Sequence, residues 1–248
     1  MKKLIVIFLI LCSVIFVITG CNGIVPGESE GEGEGEDEIL QTILVELYIA
    51  EGCPACAVVE PIFEQLADEY SREEMILVEV APWGNYHTTE IRQRFDWYAL
   101  TPAGVPQMMF NGLNDYHVGK LDESTIRNKI ETHLSMEAVV ELQASRISEG
   151  TSTVFNGLVK NIGSKTLINL VVNGMAFMDR EKTGFHYSVL DIFEDEKETI
   201  SSLAPGQERE FTITVDGLDW EGENLDGVIF VQSVDHEKKI VRQSVFVD

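Results

Sequence analysis

The chain has 248 residues, and its 42 acidic against 18 basic side chains give a formal net charge of -24. That balance argues against nucleic acid as a partner, which needs clustered Lys and Arg, and against recruitment to anionic lipid by a polybasic patch. Hydrophobic residues make up 44% of the chain, enough for a packed core. The acidity is uneven: Glu28 to Glu38 hold seven acids and no base, and residues from Ile39 onward carry 16 basic and 35 acidic groups, a net of -19.

In chain order, Met1-Lys2-Lys3 is a short positive region. Leu4 to Ile18 is an apolar run broken only by Cys12 and Ser13, and the small residues Thr19 and Gly20 follow. This predicts a signal peptide over 1–20. The run is shorter than the ~20 residues of a usual spanning helix, and an uncleaved anchor is the alternative. Ile18-Thr19-Gly20-Cys21 resembles the lipobox of bacterial lipoproteins, although Thr19 is not its commonest residue. The resemblance implies lipidation of Cys21 and an extracytoplasmic protein held to a bacterial membrane by its acyl chains, since several chains anchor where one does not. Residues 21–38 form a Gly/Glu tract. Such a chain spans roughly 20–25 Å and is extended further by charge repulsion, which predicts a tether. A calcium-binding tract would need ordered ligand spacing, which is lacking.

Ile43 to Ala50 is β-rich and nearly continuously apolar, as in a buried strand. Glu51-Gly52 forms a turn, and Pro54 suits a first helical position. Val58, Val59, Ile62, Phe63, Leu66 and Tyr70 then recur at helical spacing. Cys53 and Cys56 thus sit where a strand turns into a helix. There, N–H groups and the helix dipole favour a thiolate on Cys53, while Cys56 lies one turn deeper. With Cys12 leaving in the signal and Cys21 lipidated, this pair is what remains. None of His87, His117, His133, His186 and His236 pairs with another as a ligand motif, so neither a zinc site nor a cofactor is expected. A C-x-x-C in this setting points to redox chemistry.

The stretch from Gly52 through Cys53-Pro54-Ala55-Cys56 to Tyr70 resembles the active-site helix of the thioredoxin superfamily, and Pro61 falls where that family kinks the helix. Gly104-Val105-Pro106, before Met108-Met109-Phe110 and the turn Asn111-Gly112, resembles its cis-proline loop. Gly119 and a helix from about Asp122 to Met136 match its closing elements. The resemblance implies a thioredoxin-like α/β domain over 39–136, with Cys53 attacking, Cys56 resolving, and Val105 and Pro106 offering backbone to a substrate polypeptide. Three departures stand out. Gly52 replaces the family's Trp. Leu47 occupies the position of its buried acid, with Glu46 facing the other side of the strand because side chains alternate. Glu51 and Glu60 flank the pair and oppose thiolate formation.

After about Ser135 the pattern becomes all-β. Runs at 139–147, 154–159, 167–178, 186–193, 210–215, 228–234 and 240–247 are separated by Gly, Pro and Asn turns. This predicts an immunoglobulin-like sandwich over 137–248 without an inter-sheet disulfide. The order of segments loosely resembles Omp28-like lipoproteins, and the acidic loop Asp216 to Asp226 around Trp220 reads as solvated, with binding of a partner or an ion as the alternative. The expected activity is thiol–disulfide exchange on exported cysteine-containing proteins or a redox partner protein, in either direction. The alternatives are a non-catalytic envelope binding or assembly lipoprotein whose Cys pair is a structural disulfide, and a Cu(I) carrier using two thiolates.

Overall fold

The computed structural model describes residues 39–100, 104–180, 185–234 and 237–248. The expected signal peptide, Cys21 and the acidic tether lie outside these residues. Strand β1 (Ile43–Tyr48), helix α1 (Cys56–Glu69) and strand β2 (Met75–Val80) form a parallel crossover, with Leu47 beside Glu79. Every residue of both strands is buried, because helices or sheet cover both faces; this explains the unbroken apolar runs. Helix α1 buries Cys56, Val59, Phe63, Leu66 and Ala67 against β1. Val58, expected on that face, is exposed instead. Helix α2 (Thr89–Trp97) starts at Thr88, whose hydroxyl accepts the Ile91 N–H. Strand β3 (Gln107–Phe110) runs antiparallel to β1, and β4 (Asp115–Val118) follows after a short 3-10 turn. Helix α3 (Glu123–Leu134) is capped by Asp122 through the Thr125 N–H, an acidic N-cap of the preferred kind.

Among the described residues that follow, the regular elements are all strands: β5 (Val140–Glu149), β6 (Ser152–Asn161), β7 (Leu167–Arg180), β8 (Phe185–Ile192), β9 (Glu198–Leu203), β10 (Glu208–Asp216), β11 (Asp226–Ser233) and β12 (Val241–Val247). The seven expected runs are all present, and β9 is an additional strand. Its alternation is poor, and only its last residue, Leu203, is buried.

The expected architecture, a thioredoxin-like α/β domain followed by a separate immunoglobulin-like sandwich, is not what forms. The strands of both halves join in one nine-stranded sheet, β12-β11-β7-β8-β2-β1-β3-β4, with β9 paired to the first half of β7. The junction is a parallel bridge between β2 and β8, Glu79 to Ser188. A core common to both halves makes this junction favourable. Leu44, Tyr48, Ile76, Val78 and Met109 pack with Met175, Phe177, Val228 and Phe230. Strand β12 then returns toward β1: Thr42 N–H donates to Gln243 Oε1 at 2.8 Å, and Val241 N–H donates to the Asn111 carbonyl at 3.1 Å. Gly112 belongs to this contact, since a Cβ there would strike the Lys239 carbonyl. The smaller sheet, β10-β6-β5, covers the other face of β7 and β11, with Val140, Phe155 and Ile213 against Leu170, Ile229 and Val231. Strands β7 and β11 are therefore buried on both faces, whereas β10 alternates because one of its faces meets water.

A polar knot sits inside the common core. Glu46 is fully buried and accepts from Arg94 Nε at 2.7 Å, Arg94 Nη2 at 2.8 Å, and the hydroxyls of Tyr98 (2.8 Å) and Tyr48 (3.0 Å). Gln232 of β11 reaches in to accept from Arg94 Nη1 and to donate to the Tyr98 hydroxyl. Burial opposes the Arg94 charge, but Glu46 with its tyrosine partners holds the guanidinium well above its usual range. Glu46 does face away from the cysteine pair, as strand alternation requires.

Candidate functional site

Cys53 and Cys56 form a disulfide with their Cα atoms 5.3 Å apart. The turn from β1 carries Gly52 at φ 69°, in the left-handed region where glycine is unstrained. Ala55 stands at the cap position of α1 and offers no side-chain acceptor. The Cys53 sulfur lies there instead, 3.1 Å from the Cys56 N–H. An N–H aimed at this sulfur stabilises a thiolate when the pair is reduced. The two sulfurs have unequal surroundings. Cys56 is fully buried against α1's inner face, while Cys53 is partly exposed.

Val105 and Pro106 come to the same place. The Val105 carbonyl oxygen lies 3.7 Å from the Cys53 sulfur, and the Val105–Pro106 peptide bond is cis. Pro106 is buried and its carbonyl accepts the Gly119 N–H. An open groove of about 530 Å³ runs past Cys53, lined by Glu51, Gly52, Cys53, Pro54, Ala57, Glu60 and Phe185, together with Ala50. Phe185 comes from β8, and Tyr86 packs edge-on against it at 5.3 Å. No local pattern could have revealed Phe185, because it arrives through the β2–β8 junction.

The groove is electrostatically one-sided. Its two ionisable lining groups are Glu51, which accepts from Asn85 Nδ2 at 2.8 Å, and Glu60. Partial burial, then the charge of Glu64, pushes the Glu60 carboxyl up to about 7. Behind α1 lies Glu79, only 1% exposed. Its Oε2 accepts the Tyr187 N–H at 3.3 Å, and among the described residues its Oε1 has no partner. Burial first, then Glu64 and Glu60, push it up to about 8. The sequence offered a sign of Glu79: it is the one acid in the apolar run Met75–Val80. Among the described residues no group of three or more His, Cys, Asp or Glu side chains could hold a metal ion.

No protein-family model matches the chain, and no curated protein matches it. Among solved structures, the chain is similar in fold to HBP35 of Porphyromonas gingivalis. The TM-score is 0.64 at 15% identity, over 84% of this chain and 75% of that one. A match of that extent runs through both halves of the present chain, as a continuous sheet requires. A domain of the outer membrane lipoprotein Omp28 from Porphyromonas gingivalis also matches, over 45% of this chain and 88% of its own, at 16% identity and a TM-score of 0.32. Such a distant superposition carries no argument about function.

Proposed function

We propose that this protein is a membrane-tethered, extracytoplasmic thiol–disulfide oxidoreductase whose Cys53 exchanges disulfides with cysteines of other exported proteins or of a redox partner. The observation that carries this reading is the asymmetry of the pair. Cys53 is reachable from a groove and receives an N–H, and Cys56 is buried one turn behind it. That arrangement suits an attacking and a resolving sulfur. The Val105 backbone beside Cys53 is then available to a substrate chain, held in place by the cis bond to the buried Pro106. Tethering is supported by the apolar run and Ile18-Thr19-Gly20-Cys21, and the proposed anchor is lipid on Cys21.

The rival is a non-catalytic envelope protein with a structural disulfide. It is favoured by the uncompensated Glu51 and Glu60, which disfavour a thiolate. It is disfavoured by the sequence separation of only three residues: closing so short a loop stabilises a fold by only about 2 kcal/mol in the chain-entropy account. Trapping separates the two readings. A Cys56→Ser variant expressed with its own N-terminus should accumulate mixed disulfides through Cys53 on non-reducing gels, and Cys53→Ser should not. Absence of adducts on Cys56→Ser would count against the enzyme.

A further inference from the structure

The carboxylates around Cys53 are arranged as a track. Glu51 and Glu60 both line the groove, with no cationic side chain among the lining residues. From Glu60 the same helix face carries Glu64 and Asp68, at i+4 and i+8. Asp179 of β7 adds to the field at Glu64. His186, 3.0 Å from Asp179, offsets part of that field, and the nearby guanidiniums have partners of their own: Arg180 stacks on Tyr86 and bonds Ser188, and Arg72 stacks on Tyr187 and pairs with Asp226. Pro54 and Ala57 add exposed apolar surface to the groove, and Val58 beside them is exposed as well. A cleft lined by one sign of charge concentrates partners of the opposite sign and speeds their encounter.

Resting on the oxidoreductase reading above, we propose that the site selects cationic partners: cysteine-containing polypeptides with Lys or Arg within about four residues of the reactive cysteine. The reach follows from geometry. Asp68 lies about 12 Å along the helix from Glu60, the length of about four extended residues. A partner thiolate would attack the Cys53 sulfur, and the Cys53–Cys56 bond would break with its electron pair passing to Cys56, which takes up a proton. A second thiol of the partner would then attack the mixed disulfide and release Cys53, leaving the partner oxidised to a disulfide and the pair reduced to a dithiol. In the reverse direction the same groove receives the same partner as a disulfide.

Charge selection also has a pH signature. Glu60 interacts with Glu64 on its own helix and with Glu79 of β2, and shares the groove lining with Glu51. Its carboxyl is ionised only above about 7, so selection for cations should strengthen between pH 6 and 8. Glu79 stays protonated over most of that range and adds little charge.

The test uses the full chain, oxidised, and three dithiol peptides that differ only in carrying Lys, Gln or Glu at positions flanking a cysteine. Each rate of disulfide reduction is divided by that peptide's rate with an uncharged reference disulfide, bis(2-hydroxyethyl) disulfide, because a neighbouring Lys also lowers a thiol's own pKa. The Lys peptide should react about tenfold or more faster than the Glu peptide at low salt. The ratio should collapse toward one in about 0.5 M salt and shrink in a Glu60→Gln, Glu64→Gln variant. Equal normalised rates, or a ratio indifferent to salt and to those substitutions, would overturn charge selection while leaving the redox reading intact. If dithiothreitol reduces the pair but no peptide does, the oxidoreductase reading fails and the selectivity falls with it.

Discussion

Among the described residues the carboxyl of Glu79 has no cation paired to it and one oxygen without a partner, and it has almost no contact with water. Burial of that kind disfavours the ionised form, which is why its titration moves up to about 8. The sign of the consequence is fixed by linkage. In the unfolded chain Glu79 loses its proton near the ordinary 4.5, so between there and about 8 the folded state holds more protons than the unfolded one. Stability therefore falls as pH rises across that window. Asp191, raised to about 6 by burial, adds to the same slope. A Glu79→Gln variant should match the parent's melting temperature near pH 5 and exceed it by about 4 °C or more at pH 8, as thermal denaturation can read. Equal curves at pH 8 would mean that water reaches the carboxyl. This residue was legible as the odd acid in a buried run, but its nearness to the cysteine helix was not. It depends on Leu47 and Glu79 being neighbours on parallel strands, and register between strands leaves no mark in either one.

At the scale of elements, local pattern identifies most of the structure but divides into two folds what one sheet joins. The turn–helix around Cys53 and Cys56, the capped α3, and seven of the eight later strands carry their own signals in caps, turns and apolar runs. The run Val228-Ile229-Phe230-Val231 also held a clue to the larger error. It does not alternate, because β11 is covered on one side by the small sheet and on the other by residues of the first half. A sandwich strand with one wet face would alternate. What could not be read was the β2–β8 bridge, which joins segments about a hundred residues apart through one pair. A fragment ending at Met136 would leave Tyr48, Ile76, Val78 and Met109 without Met175, Phe177 and Phe230, and Arg94 without Gln232. That fragment should show no cooperative melt and should aggregate, since large exposed apolar patches associate. A sharp, reversible transition in the fragment would contradict the shared core.

At the scale of the molecule, one sheet brings Phe185 from the second half to the rim of a cysteine pair from the first. The groove is thus a product of the whole fold rather than of a separable redox module. The net charge of -19 on residues from Ile39 onward is not spread indifferently either, since part of it flanks Cys53. Those acids work against the N–H that the Cys53 sulfur receives, and the balance between them sets how readily the pair is reduced. That balance is measurable as the equilibrium potential of the Cys53–Cys56 disulfide in the full chain, titrated against glutathione with the reduced fraction read by alkylation. An exchanging pair should poise between about -270 and -120 mV, where catalytic dithiols lie. A potential below about -300 mV, the region of structural disulfides, would contradict the account.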